Sequence, residues 1–408
     1  MKTTAKNGHS ITQSALRLLR DPLFLYKLGQ KIGQMGVVGE ERNRLILLLA
    51  GIGRTQPNNA SVLMKGSTSS GKSTVVKTVA KVFPPDCVIE RASLSPKALA
   101  YGKGPLAGKI FVLREFRGGK DALLLLRLLQ SEGEIEHEAT SIRGSRRSTK
   151  TAKRVGTPVV LTTTTEAKVF ADDETRFLSV WADESPDQSL AIMVAKACGH
   201  RIADYRDLPV WRKALSLLVC RKGDFDSPPV WLRYVAEQLP LARVRVRRDW
   251  DRFLSFCKSI ALCRGGWQMN PSVNITFADY CVAHRILEPV FASTLRGVRT
   301  QEFALGKAVA RLNRRLQRAA TIREIANELN WKEPVVYKYV RSAGKNGLVE
   351  FEEGNREKNV KRVIARLGNS GRFLPSPLRV LRDNAEIEDE VSFIDPFTGS
   401  CQTIRRPS

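Results

Sequence analysis

An α/β nucleotide-binding core, then a helical region, then a small helix-turn-helix unit with a β-wing is the architecture the sequence predicts. Three observations carry it. Gly66-Ser67-Thr68-Ser69-Ser70-Gly71-Lys72-Ser73-Thr74 match G-x-x-x-x-G-K-[ST] at every fixed position, between the apolar run Val62-Leu63-Met64 and a stretch with helical spacing up to Pro84-Pro85. Two later stretches, Lys109 to Phe116 and Pro158 to Thr165, read as an apolar strand ending in an acidic residue and a third buried strand that finishes polar. Beyond Lys307 the pattern changes to short helices and a hairpin.

Bulk properties narrow the class. With 408 residues there is length for two or three domains and a real core. The 42% hydrophobic share is ordinary for a globular chain. The charge is not: 67 Lys and Arg against 41 Asp and Glu leave +26, which points to a polyanionic partner, nucleic acid above all. Seven cysteines lack C-x-x-C spacing and only four histidines accompany them, so a structural zinc site is not expected and a reducing compartment is. No apolar segment has the length of a membrane span, and a soluble cytoplasmic protein is expected.

From Ile11 to Leu49 the apolar residues recur at helical spacing, and residues 1–55 read as a helical collar. In the glycine-rich loop, Gly66 and Gly71 let successive N–H groups face an anion, and the following helix adds its positive end. Lys72 is placed to reach the β- and γ-phosphates and the Ser73 hydroxyl to ligate Mg²⁺, so ATP with Mg²⁺ is the expected cofactor pair. Glu115, at the end of the second apolar strand, is the candidate to polarise an attacking water and the second candidate metal ligand. The third strand finishes in Thr162 to Thr165, where a hydroxyl at Thr164 can hold that water or sense the γ-phosphate. Thr175-Arg176 then precede another strand; in a ring, Arg176 would point into the neighbour's site.

Between Glu115 and the threonine strand lies a predicted hairpin, about residues 134–156, with an acidic start and a basic remainder. Arg143, Arg146, Arg147, Lys150, Lys153 and Arg154 form its expected basic tip, suited to phosphates rather than to base readout. It falls where ring-forming ATPases insert a pore hairpin. Near the C-terminus, Thr321-x-x-Glu324 is a capping box, and Pro334 to Gly344 reads as the recognition helix of a winged helix (residues 301–368). Its groove-facing candidates are Tyr337, Lys338, Arg341 and Lys345. The wing tip is read at Glu353 to Lys358, and residues 369–408 as a tail.

From Leu16 to about Gly265 the chain resembles the AAA+ ATPase module of replicative helicase-like proteins carried on mobile genetic elements. These include primase-linked helicases of phages and plasmids and MCM-like helicases of integrated cassettes. The stretches that carry the likeness are LLRDPLFLYKLGQKIGQMGVVGEERN, the glycine-rich loop, LLRLLQSEGEIEH, VVLTTTT with ETRFLSVWADESPDQ, and RVRRDWDRFLSF. The resemblance implies a P-loop AAA+ core (residues 56–185), an all-α lid (residues 186–300) and the winged helix after it. It makes Lys72 and Ser73 the Walker A residues, Glu115 Walker B, Thr164 sensor 1, Arg176 the arginine finger, and Arg247 or Arg248 sensor 2. Two residues depart from the pattern: Arg114 stands where an acidic partner of Glu115 is usual, and Thr164 where Asn is. No primase or zinc module precedes the ATPase, so a separate primase or polymerase is an expected partner.

The leading functional reading is an ATP-driven DNA helicase or translocase working as a homo-oligomeric, hexameric ring. An initiator or loader that uses ATP as an assembly switch shares the architecture. So does a DNA-binding regulator with a decayed ATPase, which Arg114 motivates.

Overall fold

The structure is a computed structural model describing residues 2–92, 95, 99–102, 104–116, 120–143, 146–166, 175–199, 204–241, 244–268, 272–296, 300–345, 348–352, 361–365 and 373–407. The side chains of residues 2–9, 120–123, 139–150, 295–300 and 303 lie outside the description. Helices α1 (Lys2–Arg20), α2 (Phe24–Gln34) and α3 (Glu41–Ile52) form the N-terminal collar. Helix α3 is buried from Asn43 to Ile52, as a run with apolar residues on every side requires.

The core follows. Strand β1 (Ser61–Lys65) leads into α4 (Lys72–Val82), then come β2 (Val88–Arg91), β3 (Ile110–Leu113) and α5 (Lys120–Glu132). The hairpin β4 (Glu134–Arg143) and β5 (Arg146–Val155) precedes β6 (Val159–Thr164) and β7 (Phe177–Trp181). Five strands make one parallel sheet in the order β2-β3-β6-β1-β7. Every residue of β1, β3 and β6 is buried, because layers cover both faces of the sheet. One apolar cluster joins the collar to one face; a second, with Leu106, Phe116, Leu126, Leu129 and Phe177, fills the other. In this topology the loops after β1, β6 and β3 gather at the carboxyl edge of the sheet, where ligands of open α/β sheets bind.

Helices α6 (Pro186–Ala197), α7 (Leu208–Leu217), α8 (Trp231–Glu237), α9 (Val246–Gly265) and α10 (Phe277–Arg296) follow. A ring cluster holds this region together: Phe253 meets Tyr280 and Phe291 edge-on, and Trp231 meets Phe277 and Tyr280. A separate small unit comprises α11 (Thr300–Leu316), β8 (Ala320–Thr321), α12 (Ile322–Leu329), α13 (Glu333–Lys345), β9 (Val349–Phe351) and β10 (Arg362–Ala365). Its sheet runs β8-β10-β9, antiparallel, over its own core of Leu305, Val309, Ile325, Val336, Val340 and Val363. The capping box forms: Glu324 N donates to Thr321 Oγ1 and Thr321 N to Glu324 Oε2. Residues 353–358, read as the wing tip, lie outside the described residues.

The C-terminal segment differs from the expected tail. Helix α14 (Pro377–Asp383) and the hairpin β11 (Glu390–Ile394) with β12 (Cys401–Arg405) pack back on the helical region and collar. Phe373 stacks on Phe291 at 4.8 Å, and the buried Glu288 carboxylate accepts from Phe373 N and Leu374 N. Phe397 lies under the Arg42 and Arg285 guanidiniums. These anchors are single residues spread among polar ones, so no helical or strand period announces them. No helix among the described residues is long and apolar enough to cross a membrane.

Candidate nucleotide site

The glycine-rich loop leaves β1 after Lys65 and ends at Gly71, whose φ of +84° places it in the left-handed region that only glycine enters without strain. Gly66 is needed for a different reason. A Cβ there would meet Ser70 Oγ at 2.8 Å, Ala182 Cβ at 3.0 Å and Glu184 Oε1 at 3.1 Å. Ser67, Thr68 and Ser69 are exposed, as are Ser73 and Thr74 on the first turn of α4. Lys72 is buried and folds over the loop, donating to Gly66 O at 3.0 Å, Ser70 Oγ at 3.1 Å and Ser67 O. Burial pulls its pKa down, and the carboxylates of Glu184 and Glu115 pull the other way. The loop therefore fits a phosphate chain: an ammonium whose hydrogen bonds among the described residues go to neutral oxygens, an open backbone and a helix N-terminus converge on one spot.

Glu115 sits in the bend just past β3, and β6 clamps that bend. Thr163 Oγ1 donates to Arg114 O at 2.6 Å, and Phe116 N donates to Thr163 O at 2.7 Å. The two bonds flank Glu115 and fix its backbone. The Arg114 side chain is taken up by Glu90 at 3.0 Å, on the outer strand β2. Thr164 is buried beside Lys65 in register, its Oγ1 accepting from Glu166 N. Sequence reasoning chose Thr164 and missed Thr163; four consecutive threonines look alike until the register Leu113↔Thr162 is known.

A second group without a sequence signal lies across the loop. Glu184 accepts from Ser67 N, Asp183 N donates to Glu40 Oε1 at 2.8 Å, and Asn43 donates to Trp181 O at 2.8 Å. The segment after β7 thus ties the glycine-rich loop to the start of α3. Glu40 holds φ 61°, a left-handed value rare outside glycine, and burial pushes its carboxyl up to about 7 against hydrogen bonds from Asp183 N and Asn43. A raised acid favours the folded state below its unfolded value and loses that contribution as pH climbs to about 7. Glu40→Gln is accordingly expected to flatten urea-unfolding stability between pH 5 and 7, a span worth about 3 kcal/mol on the shift itself; an unchanged slope would assign it to another group.

The candidate arginines lie at the other edge of the sheet. Arg176 precedes β7, where Phe177 pairs with Ser61 at the start of β1. It stands about 20 Å along the strand direction from the glycine-rich loop. Its guanidinium donates to Arg127 O and Ser131 Oγ on α5. Arg248 donates to Thr175 Oγ1 at 2.6 Å, and Arg252 to Thr175 O and to the buried Asp249. Arg176, Arg248 and Arg252 line one cleft of about 540 Å³ together with Glu132 and Asp251; Arg247 is exposed beside it. The structure therefore unites Lys72, Glu115 and Thr164 at one edge, and Arg176 with Arg248 at the other.

A family model described as the MTBMA_p00010 P-loop domain matches residues 12–215, half of the chain. The chain belongs to that family. As a P-loop domain it is a nucleotide-binding module. No curated protein sequence matches the chain. Among solved structures, a full-length MCM homologue from Methanopyrus kandleri aligns with TM-score 0.43 and 13% identity over 68% of this chain and 60% of that one. The SCCmec type IV Cch active helicase gives 0.34 and 12% over 78% and 66%, and the Aeropyrum pernix ORC1 protein in complex with DNA 0.26 and 15% over 86% and 94%. The chain thus spans less than two thirds of the MCM homologue.

Within this P-loop domain the hairpin projects about 30 Å from base to turn, with Arg143 opposite Arg146, Ile142 opposite Arg147 and Ala139 opposite Lys150. The side chains of those four basic residues lie outside the described residues. Lys153 and Arg154 do not belong to the tip. They occupy the base, where Lys153 pairs with Glu134 at 2.9 Å and buried Arg154 donates to Leu99 O and Gly104 O. The register explains the difference, since Arg154 lies opposite the buried Ile135. Beyond the matched P-loop domain, Lys338, Arg341 and Lys345 line a shallow cleft on α13. Lys361, missed in the sequence, donates to Tyr337 Oη at 2.7 Å, with Arg341 over the same ring. These cations hold the phenol below its usual pKa, the Lys361 hydrogen bond most of all.

Proposed function

We propose that this protein is an ATP-hydrolysing DNA helicase or translocase serving replication of a mobile genetic element, and that it works as a ring of identical subunits. One observation carries the reading: the phosphate-binding residues and the paired arginines occupy opposite edges of the same sheet, so a site complete with both needs two subunits. In that site Lys72 binds the β- and γ-phosphates, Ser73 holds the metal, and Glu115 takes the proton of the attacking water. Thr164 holds that water, and a neighbour's Arg176 and Arg248 meet the charge that grows on the transferring phosphoryl. Ser73 and Glu115 are the residues that would hold Mg²⁺, which would supply positive charge to offset that of the phosphate chain.

The C-terminal unit, with its helix-strand-helix-helix-hairpin order, is read as a winged helix that presents Tyr337, Lys338, Arg341, Lys345 and Lys361 to duplex phosphates. The hairpin tips are read as following one strand through the ring. Replacing Arg143, Arg146, Arg147 and Lys150 together with alanine is expected to abolish fork unwinding while nucleotide binding persists. Single-strand affinity should also lose salt dependence, its log–log slope falling by about 0.7 per phosphate contact removed. A wild-type protein that binds a fork and hydrolyses ATP without opening it would overturn the helicase reading.

A further inference from the structure

Helix α6 is apolar yet almost uncovered. Leu190, Met193 and Val194 form one stripe at helical spacing and remain 57%, 59% and 51% exposed. Gln188 alone in this helix is buried. The stripe begins at the lip of the nucleotide site: the helix is capped by Ser185, next to the Glu184 that holds Ser67 N. Contiguous apolar surface of this kind marks an interaction site.

A second such patch exists on α5. Leu124 and Leu128, one turn apart, are 50% and 40% exposed. They share that helix with Arg127 and Ser131, whose carbonyl and hydroxyl oxygens receive Arg176. The charges around the two patches are opposite. Asp183, Glu184 and Asp187 surround the start of α6, whereas Arg176, Arg248 and Arg252 dominate the cleft beside α5, with Glu132 and Asp251 as its acidic members. Two-fold pairing of either face with itself would bring like charges together and leave each phosphate loop without an arginine. Pairing one face with the other joins opposite charges and repeats from subunit to subunit, which is how rings form.

We propose that these patches are the two halves of one head-to-tail interface between copies of this chain. The α6 stripe of one subunit packs on Leu124 and Leu128 of the next and brings that subunit's Arg176 to the phosphate loop. The proposal rests on the reading that hydrolysis takes place between subunits, and it names the surface that sets the seam.

Mass photometry of the full chain, with a non-hydrolysable ATP analogue and single-stranded DNA, tests it. L190E/M193E and L124E/L128E should each weaken self-association about 30-fold or more and leave monomers. An equimolar mixture should recover dimers but nothing larger, because only one pair of intact faces remains, and ATP turnover should reappear at that one seam. If the glutamates unfold the chain by circular dichroism, L190S/M193S and L124S/L128S replace them with the same readout. Assembly of the variants like the wild type, or a mixture that stays monomeric, overturns the interface and leaves the inter-subunit reading standing. A wild type that stays monomeric with nucleotide and DNA overturns both.

Discussion

Replacing Arg176 with alanine is expected to lower ATP turnover by about 10³-fold or more while nucleotide affinity hardly changes. A guanidinium at the amino edge of β7 cannot stabilise a phosphoryl group held at the carboxyl edge of β1 in its own subunit. Among its partners are Arg127 O and Ser131 Oγ on a partly exposed helix face, neutral acceptors that a phosphate oxygen can outbid. Removing the side chain should therefore cost transition-state stabilisation without loosening the ground-state complex. The decisive control mixes Arg176→Ala with Lys72→Ala. Each should be inactive alone, but in the proposed ring a Lys72→Ala subunit would still offer its arginine to a neighbour's intact loop. Turnover should return in the mixture to a sizeable fraction of wild type. A mixture as inactive as its parts would put the arginine and the lysine in separate functions.

How much of this site the sequence discloses depends on what kind of contact is at stake. The glycine-rich loop is legible because its requirements are local: Gly71 needs a positive φ, Gly66 needs the absence of a side chain, and Lys72 must follow at one spacing. The buried strands β1, β3 and β6 are legible for a related reason, since fully buried parallel strands leave unbroken apolar runs, whereas their order in the sheet is not. What fails is everything decided by register or by long-range approach. Whether Thr163 or Thr164 reaches Arg114 O is fixed by one step of the pairing between β3 and β6, and a slip of one residue exchanges their faces. Arg154 has the composition of the basic tip but the register of the base, and so ends up buried. Glu184 and Glu40 reach the loop across 117 and 143 residues of chain, through Ser67 and Asp183 respectively. The C-terminal strap is held by isolated contacts such as Phe373 on Phe291, which carry no periodic signal.

The second large effect is expected at Glu115. Glu115→Gln should retain nucleotide binding and lose about 10² to 10⁴ of the hydrolysis rate, the usual contribution of a positioned general base. Glutamine keeps the size and the hydrogen-bonding oxygen but cannot accept a proton at neutral pH. The bend that carries it should survive, because Thr163 and Phe116 hold it through the backbone on either side. The competing candidate is Glu184, which also favours the charged form of Lys72, and does so more strongly. Its carboxylate is engaged with Ser67 N at the start of the loop, so its removal should disturb nucleotide affinity rather than the chemical step. Steady-state ATPase assays paired with binding of a fluorescent ATP analogue separate the two. Glu115→Gln should change kcat alone, whereas Glu184→Gln should raise the dissociation constant first. If Glu184→Gln instead leaves binding intact and removes turnover, the base stands on the β7 side of the loop, and the bend after β3 is left with a structural part. The same pair of assays bears on Arg114. Its side chain is engaged by Glu90 on the outer strand, so measurable wild-type turnover is the expected result despite the missing second carboxylate.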